Sequence, residues 1–510
     1  MYRGSFVRQG GTFDDPDYVY YNADIINNNT VSSDLTGYQV ISDPQVRFNE
    51  TRDKQILQNA GEYYFSVVRL SMNGTGRDLP LFIPTIQTGV GYNDVNLTTY
   101  GMAFSAMITL DISGSPSIPS IVVAPPIRYV SYVPETSNQS LAPTPSGAAL
   151  ASGAPQDINS RYYWVYSYQH WINLVNQTIL TSDPVELASG ANFAWTCCWG
   201  DTYQAVINAY PAAELVFPSL SVFVSYVCPP QITYNPDNNR FTIYGDSDGF
   251  GERLTPFTVF VPKVTGIPYC LTPPTMRFFM NANMFGLFSN ISNLYWNSQN
   301  QVDTPFPGGL SQDTTLMSPT LVPVGYVNEI LFPNKFYSNV ADYRITPGAG
   351  IAPLGYVPIQ KQKVYWLSEQ EYPSTDSLWS PISTLVVTSS LLSIMPEYVS
   401  PPILLGTSNN INSQPTAPSA FDPIISDVAI DTALTGAGMY RQSVVYEPKA
   451  EFRLADFTTK GTAVRTIDIQ IFWRCRLNGN LYPLQMYNLS SVSIKCMFKH
   501  KSLSGGKGAW

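Results

Sequence analysis

Apolar and polar residues alternate with period two along much of this chain, most cleanly near its end. In TAVRTIDIQIFWRCRLNGNLYPLQM, residues 462–486, the apolar positions are Ile467, Ile469, Ile471, Trp473, Cys475 and Leu477. Thr466, Asp468, Gln470, Arg474 and Arg476 stand between them. Successive strand side chains point to opposite faces, so the pattern predicts a strand with one buried face. Asn478-Gly479 then offers the two residues that a type I′ turn demands, which predicts a hairpin. No acidic residue follows Asp468 in the remaining chain.

Further strands are predicted in QVRFNETRDKQIL, GEYYFSVVRLSM, LPLFIPTI and TTYGMAFSAMITLDI, and again in AELVFPSLSVFVSYV, RFTIYGD and TPFTVFVPKV. Beyond residue 323 come KQKVYWLSE, PISTLVVTSSLLSIMPE, YRQSVVYEPKAEFRLADF and SSVSIKCMFKH. One segment carries a helical period. In SRYYWVYSYQHWINLVNQTILTSDP the residues Trp164, Tyr168, Trp171, Ile172, Val175 and Ile179 recur every three or four positions. Ser160 can cap its start and Asp183-Pro184 end it, which predicts a helix over 161–181. MRFFMNANMFGLFSNI reads equally as a helix or a bent strand. Many short strands between Pro, Gly and Asn turns define an all-β chain, a Greek-key sandwich or barrel.

The Asn-rich residues 1–45 show no sustained period and read as an N-terminal arm. Residues 113–160, rich in Pro and Ser, read as a long surface loop, too long for an inert connection. A turn-rich stretch at 297–323 offers a boundary between a first sandwich, 46–300, and a second, 301–510.

Composition sharpens this picture. Only 13 % of the 510 residues are charged, about half the usual ~25 %, while Tyr numbers 33 and Pro 41. A surface built from tyrosines and amides instead of Lys and Glu resembles protein interfaces. The net charge of −9 argues against a dedicated nucleic-acid binder. Residues 469–510 run against that balance. Arg474, Arg476, Lys495, Lys499, Lys501 and Lys507 make them +6, leaving −15 on the rest. Such a face suits an acidic partner or a genome, whereas Glu451 and Asp456 are the natural mates for Arg474 and Arg476 if it is only structural. No run of apolar residues is long enough for a membrane span, and the N-terminus lacks the apolar core of a signal peptide.

Catalytic chemistry finds little material. His170 lies in the aromatic helix and His500 in the basic tail, and neither has a nucleophile elbow nearby. Glu369 and Glu371 form a carboxylate pair of the ordinary solvated kind. Asp246, Asp248, Gly249 and Glu252 echo a calcium loop but miss its spacing, so a polar turn is the simpler reading. The six cysteines form no metal-binding motif, and Cys475 and Cys496 fall on apolar strand faces. Hence no catalytic, cofactor-binding or metal residues are expected, and the chain is expected not to be an enzyme.

The run VVYEPKAEFRLADFTTKGTAVRTIDIQIFWRCRLNGNLYPLQMYNLSSVSIKCMFKHK, with RFNETRDKQILQNAGEYYFSVVRLSM and LPLFIP upstream, resembles the jelly-roll coat proteins of non-enveloped icosahedral eukaryotic DNA viruses. That resemblance implies a structural capsid protein of the virion, assembling with itself as trimers or pentamers and with other capsid proteins. It allows two architectures. Two jelly rolls in tandem, as in adenovirus- and virophage-like major capsid proteins, suit the break at 297–323. A single jelly roll with a large insertion, as in penton proteins, pairs strands near 61–112 with those beyond 440. The tail at 500–510, with Lys499, Lys501 and Lys507, is expected to touch an acidic partner or the genome. A β-rich receptor- or carbohydrate-binding protein of fibre or lectin type is the alternative.

Overall fold

The computed structural model describes residues 16–28, 44–87, 95–108, 110–112, 121–123, 128–135, 156, 158, 160–179, 230–246, 269–271, 275–295, 328–332, 334–341, 362–373, 379–399, 420–430, 443–448, 453–459, 461–476 and 478–503. The chain forms two compact units. Unit 1 joins Met1–Ile83 to Trp379–Trp510, and unit 2 is the intervening Pro84–Leu378. The break expected at 297–323 lies outside the described residues; the division falls instead at Ile83/Pro84 and Leu378/Trp379.

Unit 1 opens with β1 (Tyr18–Ile26), β2 (Arg47–Thr51) and β3 (Tyr63–Asn73). β1 corrects the expectation of an arm. Tyr21 and Ala23 are buried while Tyr18, Tyr20, Asn22, Asp24 and Ile26 are exposed. This is a real alternation, faint in the sequence because tyrosines occupy outward and inward positions alike.

Unit 2 begins with β4 (Leu97–Ile108), β5 (Leu110–Ile112), β6 (Ile121–Val123) and β7 (Arg128–Ser131). β6 and β7 lie within the segment expected as one long loop, and both pair antiparallel with β4. Helix α1 (Tyr168–Ile179) starts later than expected. Ser160 caps a separate 3₁₀ turn at Arg161–Tyr163, after which the backbone extends through Trp164. Ser167 is the working cap, its Oγ accepting the His170 N–H at 3.1 Å. The chain continues through β8 (Gln231–Asn235), β9 (Arg240–Asp246), β10 (Tyr269–Leu271) and β11 (Thr275–Met280). The ambiguous segment MRFFMNANMFGLFSNI is both strand and helix, since β11 leads directly into α2 (Ala282–Leu287). Asn281 makes the change, its Oδ1 accepting from Met284 N at 2.9 Å and Gly101 N at 3.1 Å. β12 (Asn293–Tyr295), β13 (Asn328–Ile330), β14 (Asn334–Ala341) and β15 (Gln362–Glu369) complete the unit. Its larger sheets run β12-β13-β11-β4-β6 and β14-β15-β9-β8. A buried Arg277–Glu329 ion pair bridges β11 and β13, with Nε to Oε1 at 2.7 Å. The strands predicted in AELVFPSLSVFVSYV and TPFTVFVPKV lie outside the described residues.

The chain then returns to unit 1 with β16 (Ile382–Thr388), β17 (Glu397–Val399), β18 (Ala420–Asp422), β19 (Ile424–Ala429), β20 (Ser443–Tyr446), β21 (Ala455–Asp456), β22 (Thr466–Cys475), β23 (Leu481–Pro483) and β24 (Ser491–His500). One antiparallel sheet runs β1-β24-β3-β20, with β21 also on β3; the other runs β19-β16-β22-β2, with β23 also on β22. Strands from both ends of the chain are therefore direct neighbours, β24 lying between β1 and β3.

Between the two sheets lies the core of unit 1. Phe65, Val67, Leu70 and Met72 of β3 and Ile494, Cys496 and Phe498 of β24 come from one sheet. Ile467, Ile469, Ile471 and Trp473 of β22 and Leu385 and Val387 of β16 come from the other. Each such side chain contributes roughly 1.5–3 kcal/mol through burial. The predicted alternation of β22 is thus borne out.

Its turn is not of the predicted kind. Cys475 N donates to Asn480 O and Gly479 N to Cys475 O, both at 2.8 Å, which makes residues 476–479 a four-residue loop. Trp473 consequently faces Tyr482, two places from the register that a 478–479 turn would impose. Asn478 secures the longer loop through Asn480 N at 3.0 Å and Tyr482 Oη at 2.9 Å. Gly479 takes the left-handed conformation, φ 71°.

Candidate assembly interface

Two buried carboxylates shape the loops of unit 1. Asp468 breaks the polar-out rule of β22, being fully buried. Its Oδ2 accepts from Ser390 N and Oγ, and its Oδ1 from Leu391 N, all at 2.8 Å, with Ser389 Oγ also bonded to Oδ1. Burial pushes this carboxyl's pKa upward, but the converging donors outweigh it and hold the group below the ordinary carboxylate range. Asp468 thereby clips the segment after β16 onto β22. That segment exposes the apolar side chains of Leu391 and Met395.

Asp78 does the same for the turn before β24. It accepts from Thr75 N at 3.1 Å, Tyr487 N at 2.6 Å and Ser490 Oγ at 2.8 Å. Asn27, just past β1, closes the other side, since Asn27 N donates to Ser490 O at 3.0 Å and Leu489 N to Asn27 O at 2.8 Å. Inside this frame Leu489 sits at φ 69°, a conformation that costs a non-glycine residue roughly 1–2 kcal/mol. Its side chain is 78 % exposed, and Ile26 at the end of β1 is 68 % exposed.

β1 and β2 are tied along one side of the sandwich. Tyr21 Oη donates to Glu50 Oε2, and Arg52 Nε bonds Glu50 Oε1 at 3.1 Å. Burial, reinforced by the Glu50 carboxylate, pushes the Tyr21 hydroxyl up to about 12. Beyond that tie the outer face of the β1-β24-β3 sheet presents Tyr18, Tyr20 and Tyr64 among Lys495, Lys499 and Arg69. The Tyr18 and Tyr20 rings are parallel within 13°, their centroids 6.4 Å apart.

The residues singled out from sequence are dispersed. His170 is buried in unit 2, its Nε2 2.8 Å from Val133 O, and burial lowers its pKa against the raising effect of that carbonyl. His500 lies in unit 1, 3.4 Å from Glu62. Glu369 accepts from Asn238 Nδ2 at 3.2 Å while Glu371 is exposed. Gln370 between them turns inward to bond Ser289 O at 2.8 Å. Of the calcium-like set only the Asp246 backbone is described; Asp248, Gly249 and Glu252 lie outside the described residues.

Asp456 is bonded by Lys501, not by Arg474 or Arg476. Arg476 reaches Ile382 O at 3.3 Å instead, and Glu451 and Lys507 lie outside the described residues. Cys475 and Cys496 are buried free thiols, and burial pushes Cys496 up to about 12. Among the described residues no helix is long and apolar enough to cross a membrane.

Sequence reasoning missed Asp78, Asn27, Leu489 and the Tyr18/Tyr20 pair. Only the tyrosines left a legible trace, the alternation within YVYYNADII.

Comparison with known proteins agrees with this architecture. A search of curated protein sequences returns no match. Among solved structures, a chain of the Sputnik virophage particle, determined by cryo-electron microscopy, is similar at 18 % identity and a TM-score of 0.56. The match covers 96 % of this chain and all of that one. The mavirus penton protein is matched at 12 % identity and a TM-score of 0.42, over 94 % of this chain and 99 % of that one. The sheets are those of an antiparallel jelly-roll protein. The profile of the Sputnik minor capsid protein V18/19 family matches residues 19–500, from β1 to the end of β24. The chain belongs to that family of structural capsid proteins of the virion.

Proposed function

We propose that this chain forms a homopentameric capsomer at the five-fold vertices of an icosahedral shell, built on one jelly roll with a large insertion. The observation carrying this reading is the position of β24 between β1 and β3, so that both chain ends complete one sandwich around the inserted residues 84–378. A minor component occupies the rarer positions of a shell, and in an icosahedron the rarest are its vertices. Cyclic closure needs heterologous contacts, in which one patch of a subunit meets a different patch of the next. The apolar pair Leu489/Ile26 and the loop pair Leu391/Met395 offer two such patches on unit 1. The role is structural, without catalysis, and other capsid proteins surround the ring. Native mass spectrometry of the purified full chain tests this. Pentamers that dissociate when Leu489 is replaced by Asp support it; a stable trimer, or a monomer at every concentration, refutes it.

A further inference from the structure

We infer that the outer face of the β1-β24-β3 sheet binds nucleic acid, with Arg69, Lys495 and Lys499 meeting phosphates and Tyr18 and Tyr20 meeting bases. The ladder places these groups together. Lys499 stands opposite Tyr18 on one side and Tyr64 on the other, and Lys495 opposite Asn22 and Arg69. Direct partners in an antiparallel pair share a face, so all six side chains emerge on one surface. Tyr18 is 45 % and Tyr20 56 % exposed.

Charge decides the occupant. Among the described residues Arg69, Lys495 and Lys499 form no ion pair with a carboxylate, and Lys495 Nζ lies over the Tyr20 ring at 5.0 Å. Lys501, by contrast, is neutralised by Asp456 and stacks over Tyr64. Asp24 also lies on this face. The face is therefore locally basic, although the whole chain carries −9. An acidic protein would satisfy the cations but leave the exposed tyrosines without a use. A nucleic acid satisfies both, because bases stack on aromatic rings whatever their sequence. The capsid reading enters only by supplying a packaged genome as the ligand, so pentamers that fail to bind DNA would defeat this inference alone.

The test is fluorescence anisotropy of the full chain with a labelled single-stranded oligodeoxynucleotide and with the same sequence as a duplex. Three phosphate contacts predict a slope of about −2 in log affinity against log salt for the single strand. The Arg69→Gln/Lys495→Gln/Lys499→Gln variant should lose at least tenfold in affinity and most of that slope. Tyr18→Ser/Tyr20→Ser, an independent variant if the triple one misfolds, should weaken single-strand binding more than duplex binding. Absence of binding by the unaltered chain, or equal binding by folded variants, overturns the inference. So does displacement of the oligonucleotide by polyglutamate as readily as by unlabelled DNA, which would make the partner an acidic protein.

Discussion

Replacing Asp468 by alanine removes a carboxylate that holds four hydrogen bonds beneath the loop after β16. Ser389 Oγ loses that acceptor in a buried position, while Ser390 and Leu391, on the exposed side of the clip, can turn to water. A bond to a charged group is worth about 1.5–3 kcal/mol and a stranded buried donor costs about 1–3 kcal/mol. With one donor stranded and three partly rescued by water, the loss should be about 3–4 kcal/mol. Asp468→Asn keeps the shape and part of the bonding and should lose about half as much. Urea unfolding of each variant, compared at constant m-value, gives the difference directly.

The pH dependence adds a second readout. Because the folded carboxyl titrates below its unfolded value, its contribution is complete above the ordinary carboxylate range. It is lost as pH falls through the depressed folded value, so the gap between the variants and the unaltered chain should narrow in acid. A penalty below about 0.5 kcal/mol for Asp468→Ala, or one that persists unchanged in acid, would refute the account of Asp468 as an ionised clip.

His170 carries the complementary prediction: burial favours its neutral form, so stability should decline as pH drops below the ordinary histidine range and then level off. His170→Gln should flatten that part of the profile in thermal melts scanned by pH, and an unchanged profile would remove His170 as its source. Leu489→Gly should release the left-handed strain and raise the subunit's unfolding free energy by up to about 1 kcal/mol. A destabilised glycine variant in urea titration would show that the leucine side chain packs within its own subunit.

The strand β22 shows how far the sequence could be read. Its inward residues Ile467, Ile469, Ile471 and Trp473 were legible because burial follows the pleat, and the pleat has a fixed period. Asp468 was misleading, since a carboxylate at an outward position looks solvated until the loop that caps it is known. Likewise Asn478-Gly479 marked a turn correctly but not its length. The donors of Cys475 and Gly479, with the side chain of Asn478, select the four-residue form over the two-residue one. The 161–181 helix was placed correctly in its second half and too early in its first, because Ser160 and Ser167 are both good caps. The buried Tyr162, Tyr163 and Trp164 held the intervening backbone out of the helix.

By itself the sequence determined the strand content, the low charge and the basic end of the chain, all of which reside in single residues or short periods. Only the tertiary structure decided that β24 inserts between β1 and β3, that Lys501 is neutralised while Lys495 and Lys499 are not, and that three tyrosines share their face. Each depends on which strand lies beside which. Backbone hydrogen bonds set that partnership across more than 400 residues of chain, and they carry no side-chain signature.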